Sequence, residues 1–159
     1  MKNIPIVIAA ILISTMFTGC VFEISGTTFS IKNFHYCSSI DGWRSYEKHS
    51  NQYTIGEQVF MYFEVEGFKT NDDGIAQIYQ TLTVIAPNGS YLVLSGAKLQ
   101  DYPMIDQAFD ASGKDTLWFD NHLTPINQTW DKGKYKVTIN VEDRLAEKSV
   151  SYTSEFYVV

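Results

Sequence analysis

Three histidines, two cysteines and eighteen carboxylates are the residues of this 159-residue chain that could do chemistry. Their spacing narrows what that chemistry would be. His35 and Cys37 stand two apart, so a strand would aim both side chains at one face. Copper or zinc would want further ligands beside them, and an ordinary edge-strand face accounts for the pair more simply. Asp101, Asp106, Asp110 and Asp115 fall in one region and Asn71-Asp72-Asp73 in another. Calcium needs roughly six to eight oxygens converging on one point, and the Asp-x-Asp-x-Asp-Gly spacing is missing, so solvated acidic loops are expected and no metal site. None of His35, His49 and His122 lies in a His-Glu-x-x-His run, and neither a Gly-x-Ser-x-Gly elbow nor a phosphate-binding glycine loop occurs. No catalytic residue is assigned on this basis, and the reading is of a chain that is no enzyme and carries no cofactor.

Other residues point to modification and binding. Asn88-Gly89-Ser90 and Asn127-Gln128-Thr129 are acceptor sequences for glycosylation. Residues 1–19 carry Lys2, then an apolar run from Ile4 to Phe17, then Thr18 and Gly19 before Cys20. This order fits an export signal. Phe17-Thr18-Gly19-Cys20 resembles a lipobox, which implies lipidation at Cys20, although Phe17 stands where such motifs carry Leu, Val or Ile. An uncleaved N-terminal anchor and plain secretion stay open beside it. All three place the chain outside the cytoplasm, and the anchored readings place it in the cell envelope at the membrane. Trp43, Tyr46, Tyr53, Trp118 and Trp130 fall in or beside expected loops. They are candidates for partner binding, with plugging of the domain's ends as the plainer alternative.

The elements that position these residues read as strands. Tyr135, Val137, Ile139 and Val141 alternate with Lys136, Thr138 and Asn140, a period of two with one buried face. Similar runs are expected over residues 29–37, 58–66, 75–86, 91–94, 115–122 and 150–158. Asn88-Gly89 between two apolar runs signals a hairpin. Residues 38–54 and 96–114 show no period and are expected as long loops. Asp131-x-Gly133-x-Tyr135 looks like the tyrosine corner of immunoglobulin-like sandwiches. Together with Ile55-Gly56-Glu57-Gln58-Val59 before an aromatic strand and a terminal Phe156-x-Val158, the pattern resembles the prokaryotic extracytoplasmic Ig-like, or macroglobulin-like, domains of surface lipoproteins. Val137 stands where antibody domains carry a cysteine, so their inter-sheet disulfide is absent.

The expected fold is all-β: a seven-stranded antiparallel Ig-like sandwich over 29–159, after a signal segment (1–19) and a tether (20–28). The resemblance implies a non-enzymatic surface lipoprotein that serves adhesion or acts as an accessory module, with another protein or a cell-surface glycan as partner and the membrane as anchor. The alternative is an extracytoplasmic binder of sugar or metal that uses the two long loops, and a third class is an inhibitor presenting a loop to a protease. The net charge of −6 argues against nucleic acid.

Overall fold

The computed structural model describes residues 27–125 and 130–159. Among them the chain forms β-strands and no helix. These are β1 (Ser30–Gly42), β2 (Ser45–Lys48), β3 (Gln52–Tyr53), β4 (Val59–Glu66), β5 (Ile75–Ile85), β6 (Val93–Leu94), β7 (Ala97–Lys98), β8 (Tyr102–Asp110), β9 (Thr116–Leu123), β10 (Gly133–Asp143) and β11 (Lys148–Val158). One sheet runs β2-β1-β4-β9, a second runs β3-β11-β10-β5-β8, and β6 pairs with β7 alone. Neighbours are antiparallel except β3, which lies parallel to β11. The inward residues of both sheets form one apolar core, with Val59, Met61, Phe63 and Val65 of β4 and Tyr135, Val137, Ile139 and Val141 of β10 at its centre. Strict alternation in these two strands is what buries one face of each.

The all-β expectation holds, but the described residues contain eleven strands where seven were expected. Residues 38–54 are not one loop: β1 continues to Gly42 and turns into β2, and β3 follows. Residues 96–114 hold β7 and the nine-residue β8. β8 lies at the edge of its sheet, half-exposed on both sides, so no apolar alternation marks it. Its Pro103 reads as a breaker, yet an edge strand has a free side where a missing N–H does no harm. The expected return strand after Asn88-Gly89 is short as well. It touches β5 through the Ile85–Tyr91 bridge, and β6 then turns to β7.

A bulge explains the mixed faces of β1. Lys32 pairs with Glu64 but His35 with Tyr62, so one extra residue sits between them. Asn33 takes the left-handed conformation there (φ 49°). Ile31 packs on the core before the bulge, and Phe34 and Tyr36 after it. The bulge therefore moves the inward set by one residue, and it points Asn33, His35 and Cys37 to the outer side.

Candidate ligand-binding cleft

The outer face of the first sheet carries Tyr62 and Glu64 from β4 beside Trp118 from β9. Glu64 pairs with Trp118 in the ladder, and the rings of Tyr62 and Trp118 stack at 6.0 Å. The β1–β2 hairpin folds back over this face. Tyr46 packs at a tilt against Tyr62 at 4.5 Å and against His35 at 5.2 Å. At the hairpin tip the backbone N–H of Arg44 donates to the Tyr62 hydroxyl at 3.1 Å.

A single carboxylate holds the hairpin down. The Glu64 side chain is wholly buried, and Arg44 grips it as a fork, Nε to Oε1 at 2.9 Å and a terminal nitrogen to Oε2 at 3.0 Å. Asn33 Nδ2 donates to Oε2 at 2.8 Å and the Tyr62 hydroxyl to Oε1 at 2.9 Å. These four charge-assisted bonds hold the Glu64 carboxyl down at about 2, with the Arg44 hydrogen bonds the largest cause and burial opposing them. The Tyr62 hydroxyl is pushed up to about 12, mainly by burial. Arg44 (φ 55°) and Asn33 (φ 49°) are both left-handed, a conformation that non-glycine residues keep only when the surroundings fix it. With both oxygens occupied, Glu64 is a clasp rather than a base or nucleophile.

The clasp sets Trp43 at the mouth of a cleft of about 630 Å³, lined also by Trp118, Phe109, Asp110, Lys114 and Asp115. Trp43 is 58% exposed and Trp118 37%. Tyr62 covers one face of the Trp118 ring, and the Arg44 guanidinium lies 5.2 Å from the Trp43 ring centre. The cleft rim mixes signs. Asp110 accepts the Ser112 N–H and is held low by that bond, and the Lys114 ammonium donates to the Asp110 carbonyl.

The residues proposed from sequence divide clearly. Trp43 and Trp118 meet at the cleft, and Tyr46 braces it from behind. Tyr53 and Trp130 are corrected: both are buried against Phe156 in the core, where they plug one end of the domain. Asn88 sits on an exposed turn, its side-chain oxygen accepting from the Ser90 N–H and hydroxyl. Cys20 and Asn127 lie outside the described residues. Cys37 is a buried free thiol whose Sγ leans on the His35 carbonyl, and burial raises its pKa. The acids of the expected loops are tied to separate neighbours, Asp101 to Thr83 and Asp106 to Arg144. Among the described residues no group of three or more His, Cys, Asp or Glu side chains converges on a metal-sized site. Sequence reasoning missed Arg44, Glu64 and Asn33. Glu64 alternates with apolar neighbours like any solvent-facing residue, and only the folded hairpin buries it.

No family model matches the chain, and no curated protein does. A solved structure similar to it is the alkylpurine DNA glycosylase AlkC of Pseudomonas fluorescens bound to DNA containing an abasic site analog, at 11% identity and a TM-score of 0.48. The match takes in 82% of this chain and 30% of that one, so the chain spans under a third of that protein's length. That neighbour is an enzyme on DNA, which runs against three sequence expectations and corrects them. The non-enzymatic adhesion or accessory role, with its sugar- or metal-binding alternative, is withdrawn. So are the statement that the chain is no enzyme and the exclusion of nucleic acid, together with the protein-or-glycan partner. At this TM-score the likeness carries no argument of its own toward an activity.

Proposed function

We propose that the cleft between Trp43 and Trp118, carried on an immunoglobulin-like frame, holds a planar ring of neutral or positive charge. The observation that carries this is a pair of indoles left exposed on one cleft, one positioned by a clasp on a buried carboxylate and the other backed by a stacked tyrosine. Building a fixed, buried carboxylate is costly, and here its result is to hold an aromatic tip over the sheet. An indole face attracts flat rings and cations, and the Asp110 and Asp115 carboxylates are acceptors for ring N–H groups. The same carboxylates disfavour an anionic substituent on the ring.

Tryptophan fluorescence tests it. Adenosine and the cationic ring N-methylnicotinamide should quench saturably, and adenosine monophosphate should bind more weakly. Trp43→Ala and Trp118→Ala should each weaken binding by about 5- to 150-fold, the range for one lost stacking partner. Absence of saturable quenching by every one of these rings, or unaltered affinity in both variants, would end the proposal.

The Ig-like frame is supported by the strand order: β1, β4 and β9 against β11, β10, β5 and β8, with β3 running parallel beside β11. That the chain is of the prokaryotic extracytoplasmic lipoprotein kind, exported and anchored through Cys20, is likewise proposed. Cys20→Ala should release it from membranes or block its processing. Retention with the leader still attached would favour an uncleaved anchor instead.

A further inference from the structure

Two amides stand inside the apolar core without partners. Gln80 on β5 and Asn121 on β9 are 0% and 1% exposed. Among the described residues, none of their four side-chain nitrogen and oxygen atoms has a hydrogen-bond partner. Both occupy inward positions, Gln80 between Ile78 and Leu82 and Asn121 between Phe119 and Leu123, all four of which belong to the core. They come from different sheets. Leu82 and Leu123, two residues further along each strand, line the same open pocket of about 300 Å³. On the other side, Phe119 meets Phe109 at 5.3 Å, and Phe109 pairs with Ala76 of β5. Gln80 and Asn121 thus both fall between two places where β9 comes near β5 or its neighbour β8.

An amide buried without partners is among the least tolerated arrangements in a protein interior, because it loses its hydrogen bonds to water and gains nothing. Each amide offers donors on nitrogen and an acceptor on oxygen, and an internal water typically makes about three hydrogen bonds to such groups. The β5–β8 ladder is also irregular beside Gln80. Gln80 pairs with Ile105 and Thr81 with Pro103, which leaves Met104 as a bulge without an opposite residue. We infer that Gln80 and Asn121 form an internal binding site for water, which bridges the two sheets and fixes how they stack. The site is separate from the Trp43–Trp118 cleft and does not depend on it.

Nuclear magnetic resonance on the ¹⁵N-labelled protein tests the site. Water-selective NOE and ROE spectra should show a long-lived water at the side-chain NH₂ groups of both Gln80 and Asn121. Cross-peaks directly between the two amides, with none to water, would overturn it. A second test uses Gln80→Met and Asn121→Leu, which approximate the shapes without the polar groups. Each alone should lower the folded-to-unfolded ratio by about 5- to 150-fold, since it leaves the other amide with an unfilled water site. The double variant should lose clearly less than the product of the two. A loss equal to the product would show that the two amides share no site.

Discussion

Tyr135→Ala is expected to lower the unfolding free energy by about 3–5 kcal/mol, the range for truncating a large aromatic in a core. Tyr135 is buried, lies parallel to Phe156 with ring centres 4.9 Å apart, and meets Trp130 at 5.7 Å. Its hydroxyl donates to the Asp131 carbonyl at 2.9 Å, closing the corner that precedes β10. Tyr135→Phe keeps the stack and removes that one bond, so it should lose only about 1 kcal/mol, because the carbonyl sits near the surface where water replaces the hydroxyl. The corner also needs Gly133. Its φ of +133° is open to glycine, and a Cβ there would meet Pro87 at 2.9 Å. Urea unfolding separates the two variants. Equal midpoints for both and for the native chain would remove the corner from the account.

The second large effect concerns the clasp. Glu64→Ala takes the acceptor from Arg44, Asn33 and the Tyr62 hydroxyl together. A loss of about 3 kcal/mol is expected, since hydrogen bonds to a charged group are the stronger kind and this group of them acts as a unit. Arg44→Ala should act in the same direction while leaving the carboxylate buried with fewer donors. The same clasp gives the fold a dependence on acid. Folding lowers the Glu64 pKa from 4.5 to about 2, so the ionised form is the one the folded state favours. Its contribution is complete above the ordinary value and is lost as the pH falls from there through about 2. Between those limits the native chain should lose stability more steeply than Glu64→Gln. Parallel stability curves for the two chains across that window would show that Glu64 is not the group held in its ionised form.

How far the sequence went depended on whether one strand's own pattern carried the information. β4 and β10 were readable because each buries one clean face, and Tyr135 because a corner is a local motif that spans a few residues. The outer sites were not readable. At Asn33 a single bulged residue exchanges the two faces of β1, and no periodicity survives such a step. β8 hid because an edge strand with Pro103 buries little on either side. Glu64 and Arg44 are twenty residues apart and meet only when the hairpin folds back across the sheet. Trp43 and Trp118 were visible as loop aromatics, but Tyr53 and Trp130 looked the same, and only packing against Phe156 distinguishes the plugs from the cleft. Gln80 and Asn121 break the inward apolar pattern, a signal that sequence shows but that gains meaning only once the facing strand is known.

The most direct test of the cleft uses the three tryptophans as reporters, since each contributes one indole N–H resonance. Adenosine titrated into the ¹⁵N-tryptophan-labelled domain should shift the Trp43 and Trp118 signals together along one saturation curve, while the signal of buried Trp130 stays in place. Indole signals that do not move, or a shift confined to Trp130, would contradict a ring-binding cleft between Trp43 and Trp118.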